Sequence, residues 1–79
     1  MRGKRILVTG AGSGLGKAAA IKLAADGADL ALLGRTPDEL AETAAAIEGR
    51  GGVALQLVAD ISDADQMEAA FAEMASQFV

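Results

Sequence analysis

Thr9-Gly10-Ala11-Gly12-Ser13-Gly14-Leu15-Gly16 is the stretch whose reading decides the fold. It follows an unbroken apolar run, Ile6-Leu7-Val8, and precedes an alanine-rich segment carrying Ile21 and Leu23. A run without polar interruption suits a central parallel strand covered on both faces by helices, so the first strand is predicted from Arg5 to Thr9. The alanines and leucines beyond the glycines are good helix formers and predict a helix from Leu15 to Asp26, with Gly27 at the position of a left-handed C-terminal residue. Between strand and helix the chain must turn sharply. Glycine permits the positive φ angles of such a turn and lets the backbone come close to a ligand. The unpaired amides and the dipole at the helix start then favour a phosphate.

Outward from the loop, the elements continue to alternate. Ala28 to Leu33 is again nearly all apolar and reads as a second buried strand. Thr36-Pro37-Asp38-Glu39 reads as a helix start: Thr36 is placed to cap, Pro37 fits the first helical position, and Glu39 is placed to complete a capping box. The second helix is predicted from Pro37 to Arg50, with Leu40, Ala44 and Ile47 on one face and Gly51-Gly52 ending it. In the third strand, Val53 to Ala59, Val53, Leu55 and Leu57 alternate with Ala54 and Gln56, which predicts an edge strand. Ser62 followed by Asp65 predicts the cap of a third helix, whose Met67, Ala70, Phe71, Met74 and Phe78 form a core-facing stripe. The order β-α-β-α-β-α predicts an α/β fold with a three-layer, Rossmann-type parallel sheet.

The spacing of the loop separates two kinds of phosphate site. A Walker A loop needs a glycine, four residues, then Gly-Lys-Ser/Thr. Counting back from Gly16-Lys17 puts Ala11 at the first position and Ala18 at the hydroxyl position, so both anchors fail.

Composition excludes other classes. Eleven Asp and Glu against seven Lys and Arg leave a net charge of -4, so no broad positive field is available for nucleic acid or an anionic membrane. The absence of Cys and His removes disulfides, thiolate sites and the commonest transition-metal ligand. A carboxylate-only magnesium site stays open, although Asp38-Glu39 and Asp63 with Asp65 read more simply as charges complementing helix dipoles. No run reaches the length of a membrane span, and the N-terminus lacks the apolar core of a signal peptide; a cytoplasmic location is the expectation.

These residues resemble the short-chain dehydrogenase/reductase family, whose loop pattern Thr-Gly-x-x-x-Gly-x-Gly is matched by Thr9, Gly10, Gly14 and Gly16. The resemblance extends through the alanine-rich first helix, Gly34-Arg35 and Asp60-Ile61. It implies a bound nicotinamide dinucleotide, with Ser13, Gly14, Leu15 and Gly16 facing the phosphates and adjoining ribose and with Gly10 and Gly12 among the cofactor-binding residues of the loop. A carboxylate at the end of the second strand would bind the ribose hydroxyls of NAD and repel the extra phosphate of NADP. Gly34 stands there instead, and Arg35, with Thr36 beside it, can offer a guanidinium and a hydroxyl to that phosphate. NADP is therefore expected over NAD, the other reading of Arg35 being a solvated loop charge. For Asp60 the residues leave adenine recognition and capping around Ser62 even, and the resemblance favours adenine, with Ile61 against the ring.

The catalytic machinery that the resemblance implies is a Tyr, a nearby Lys and an Asn-containing segment. The chain has neither Tyr nor Asn, and Ser13, Ser62 and Ser76 have no His to activate them. The expectation is the first half of the fold, residues 1–79, stopping before a fourth strand, binding cofactor without turning it over. Its strand order would be 3-2-1, with Ile6-Leu7-Val8 on an open edge able to pair with the remaining half or with a second copy. The alternative is a stand-alone half-Rossmann module that binds a nucleotide without chemistry.

Overall fold

The computed structural model describes residues 3–78. Its elements alternate from end to end: β1 (Arg5–Thr9), α1 (Gly14–Ala25), β2 (Asp29–Gly34), α2 (Pro37–Glu48), β3 (Ala54–Val58) and α3 (Ala64–Gln77). All strand pairs are parallel, in the order β1-β2-β3. Ile6, Leu7 and Val8 stand opposite Leu30, Ala31 and Leu32, which in turn stand opposite Ala54, Leu55 and Gln56.

The period of two along each strand sorts the side chains into two layers. On one face Leu30 and Leu32 meet Ala20 of α1 and Leu40, Ala44 and Ile47 of α2, with Ile6 and Val8 packed alongside. On the other face Ala31, Leu33 and Leu57 meet Ala70 of α3, with Leu7, Leu55, Met67, Met74 and Phe78 around them. The result is three layers, with α1 and α2 on one side of the sheet and α3 on the other.

Burial corrects the reading of β1 as a central strand, although Ile6 and Val8 pack on one face and Leu7 on the other. The deepest strand is β2, whose Leu30 to Leu33 are fully buried, while Ile6, Leu7 and Val8 are half-buried. The reason is position: among the described residues β1 pairs with β2 alone, so one of its edges is open. Alternation in β3 does mark an edge strand, as expected. The stripe on α3 departs at one residue, since Phe71 is 45% exposed. Among the described residues, no helix is long and apolar enough to cross a membrane.

Two helix caps differ from the sequence reading. Thr36 sits at the N-cap of α2 with Pro37 following, but its side chain accepts no capping hydrogen bond. At α3 the N-cap is Asp63, whose carboxylate accepts from the amides of Asp65 and Gln66 at 3.0 and 3.1 Å. Ser62 lies one residue too early and points elsewhere: its hydroxyl donates to Asp60 Oδ1 at 2.7 Å. Helix α2 also stops at Glu48, before Arg50, with Gly49 as C-cap.

Candidate nucleotide-binding cleft

The C-terminal ends of β1 and β2 open into a cleft of about 170 Å³. Its walls are Gly10, Gly12 and Ser13 from the loop, Gly34, Arg35 and Thr36 after β2, and Glu39 and Leu40 from α2. Ligands of open α/β sheets bind at this end of the strands. Two larger hollows lie elsewhere. One of about 360 Å³ is at the opposite end of the sheet, around Ile21, Asp29, Arg50 and Val53. The other, about 250 Å³, lies between Arg5, Leu7, Met74 and Phe78.

The loop takes its shape from its glycines. Gly10 and Gly14 have φ of 65° and 59°, a region costly for a residue with a Cβ. Gly16 serves differently, because a Cβ there would overlap the carbonyl oxygen of Gly10. Helix α1 therefore begins pressed against the loop that precedes it. A Cβ on Gly12 would lie 2.8 Å from Glu39 Cβ and 3.0 Å from Glu39 Oε1, so the first turn of α2 closes over the loop.

Ala11 locks this arrangement. It is fully buried, its amide donates to the carbonyl of Leu33 at 3.2 Å, and its carbonyl accepts from Thr43 Oγ1 at 2.9 Å. The Thr43 hydroxyl also lies 3.2 Å from the carbonyl of Glu39, one turn back in α2. This fully buried hydroxyl ties the second helix to the glycine loop across the strand end. Sequence reasoning missed it. The signal was a hydroxyl among the apolar positions Leu40, Ala44 and Ile47, where an uncompensated polar group would be costly.

The start of α1 is bare. Ser13 occupies the N-cap in extended conformation, its side chain makes no capping bond, and no acidic residue lies in the first turn. Backbone amides at such a start have no intrahelical acceptor. Leu15, beside them, is 90% exposed.

The expected site residues therefore fall into three groups. Gly10, Gly12, Ser13, Arg35 and Thr36 line one cleft. Gly14, Leu15 and Gly16 form the adjacent first turn of α1. Asp60 and Ile61 lie just past β3, outside the cleft wall, with Ile61 68% exposed. The Ala59 amide donates to the carbonyl of Gly34 at 2.9 Å, which carries the β2–β3 pairing on to the residues flanking Arg35 and Asp60.

The Asp60 carboxyl is held below its ordinary value. The largest cause is the hydrogen bond from the Ser62 amide, next the one from the Ser62 hydroxyl; partial burial opposes them, and the Arg35 guanidinium adds to the lowering. The Asp60 amide itself donates to Gln66 Oε1 at 2.8 Å. One carboxylate oxygen, accepting from both the amide and the hydroxyl of Ser62, thus organises the turn before α3.

Three parallel strands alternating with three helices, α1 and α2 on one face and α3 on the other, with a glycine loop at the strand ends, define a Rossmann-like α/β fold. Comparison with known proteins is consistent with that class. The family model for short chain dehydrogenase matches residues 4–79, and the chain belongs to that family. It is 40% identical over 75 residues to the 3beta-hydroxysteroid dehydrogenase of Mediterraneibacter gnavus, covering 95% of this chain and 27% of that one. Among solved structures, a 3-ketoacyl-ACP reductase from Sinorhizobium meliloti is 49% identical with a TM-score of 0.90, over 94% of this chain and 29% of its own. The L-sorbose reductase of Gluconobacter frateurii, solved as a complex with NADPH and L-sorbose, has a TM-score of 0.93 at 30% identity, over 99% and 30% of the two chains. The chain spans 12 to 27% of the length of curated relatives it matches.

Proposed function

We propose that this chain is the NADP-binding segment of an oxidoreductase, and that the groups which move protons and position substrate belong to other parts of the protein. The observation that carries the reading is the cleft that brings Gly10, Gly12 and Ser13 together with Arg35 and Thr36. The residues fit the cofactor: Gly16 lets the helix start lie against the loop with no side chain intervening, and the first-turn amides of α1 have no side-chain acceptor of their own. Gly14, Leu15 and Gly16 would present those amides to the pyrophosphate, and Arg35 with Thr36 would take the additional phosphate on the adenosine ribose. Asp60 and Ile61 would border the adenine.

When bound, the nicotinamide supplies or accepts a hydride. Within the segment the protein's share is binding and orientation, since the chain has no Tyr, His or Cys. Carbonyl reduction is the favoured reaction class, because the ketoacyl and sorbose reductases both carry it in their names. The free edge of β1 is where further strands of the sheet would add.

The test is calorimetric titration of the protein with NADP and with NAD, before and after Arg35→Ala. NADP is expected to bind more tightly by about ten-fold or more, as a charge-assisted contact to a phosphate supplies, with the substitution erasing the difference. Equal affinities before substitution would remove the role given to Arg35. Absence of binding would remove the function itself.

A further inference from the structure

We infer that Glu39 is a counter-charge to Arg35 that limits how strongly the cleft prefers a phosphate-bearing ribose; the inference rests on the nucleotide reading above. The end of β2 carries no carboxylate, because Gly34 stands there. The fold nevertheless brings one into the same space from α2. Glu39 lines the cleft with Arg35 and Thr36, and its Cβ and Oε1 occupy the position a side chain on Gly12 would need. Thr36 makes no side-chain cap, so the capping box that would account for Glu39 is not formed.

The two helix starts at the cleft therefore differ in sign. That of α1 offers unpaired amides and no acidic residue. That of α2 begins with Pro37, which has no amide hydrogen, and places Asp38 and Glu39 in its first turn. A dianionic phosphate entering beside Arg35 meets one guanidinium and one carboxylate. A ribose hydroxyl entering the same place meets a hydrogen-bond acceptor. Glu39 thus works against NADP and not against NAD, and narrows the preference Arg35 creates.

The experiment measures NADP and NAD dissociation constants for the protein and for Glu39→Gln, Glu39→Lys and Glu48→Gln. Glu39→Gln keeps length and one acceptor oxygen and removes the charge. It is expected to tighten NADP by about three- to ten-fold at low ionic strength while NAD changes by less than about two-fold. Glu39→Lys is expected to extend the gain, and the gain should shrink at about 0.5 M salt, where surface charges are screened. Glu48→Gln makes the same change in net charge at the far end of α2 and should leave both constants alone.

An equal gain for both nucleotides, a gain matched by Glu48→Gln, or no gain overturns the inference. Loss of both affinities also overturns it and assigns Glu39 to packing against Gly12. If Arg35→Ala abolishes the preference while Glu39→Gln changes nothing, the NADP reading stands and this inference alone falls. If the unsubstituted protein binds neither nucleotide, both fall.

Discussion

Helices α1 and α3 begin in opposite ways. Every helix start exposes amides without intrahelical acceptors. At α3 the chain supplies the acceptor itself: Asp63 takes the amides of Asp65 and Gln66, and the Gln66 side chain donates back to Asp63 Oδ2 at 3.2 Å. At α1 the equivalent residue, Ser13, takes none. The closed start is satisfied by the chain's own side chains, and the open one is the start that the proposed function assigns to a phosphate. A glycine-rich approach separates them further, because α1 begins at exposed Ser13 and Gly14 whereas α3 follows Asp60-Ile61-Ser62.

The comparison breaks most sharply at Gly16. Gly16→Ala sets a Cβ on the Gly10 carbonyl, and backbone on backbone cannot move aside cheaply. The expected result is loss of NADP binding together with about 3 kcal/mol of stability, read by calorimetry and urea denaturation. Normal binding in this variant would take the loop out of the site.

Next in size is Thr43→Val, which leaves the buried Ala11 carbonyl without its donor. About 1–3 kcal/mol of stability should go, with a smaller loss for Thr43→Ser, which keeps the hydroxyl. Chemical denaturation of the two variants side by side checks this.

The caps themselves give the direct contrast. Asp63→Ala is expected to cost about 1 kcal/mol and leave nucleotide affinity unchanged. Ser13→Ala, at a position with no capping bond, should cost no more than about a few tenths of a kcal/mol. Equal losses at both positions would erase the distinction between closed and open starts.

The smallest effect concerns Asp60. Its carboxyl is lowered in the folded state, so the stability it contributes is present above the ordinary carboxylate range and fades as pH falls through the depressed value. Ser62→Ala removes the hydroxyl donor but keeps the amide donor. The Asp60 midpoint, followed by carboxyl-carbon NMR, should rise part of the way to normal.

Much of this was legible in the residues. The span of β1 and the turn after it follow from Ile6-Leu7-Val8 meeting glycine, because composition and position agree there. Helix α2 began at Pro37 as expected, since proline is favourable at so few helical positions. What escaped were choices between neighbouring polar groups. Ser62 and Asp63 are both good N-cap residues, and which one caps depends on Asp60 Oδ1 capturing the Ser62 hydroxyl. Glu39 read as a capping partner of Thr36 because that pairing is local; its place against Gly12 depends on how α2 packs over a loop far away in sequence. Thr43 escaped for the same reason, its acceptor Ala11 being visible only in three dimensions. Of the expected site residues, Gly10, Gly12, Ser13, Arg35 and Thr36 line one cleft because they flank two strand ends that a parallel sheet must bring side by side.

Ala11, held by Leu33 on one side and Thr43 on the other, has a thermodynamic consequence for the proposed recognition. A loop free to wander must surrender that freedom when it closes on a ligand, and the loss weakens every ligand alike. Here the ordering of the glycine loop belongs to folding. Differences in affinity between nucleotides should accordingly measure the contacts each one makes, and the loop should contribute the same background to all of them.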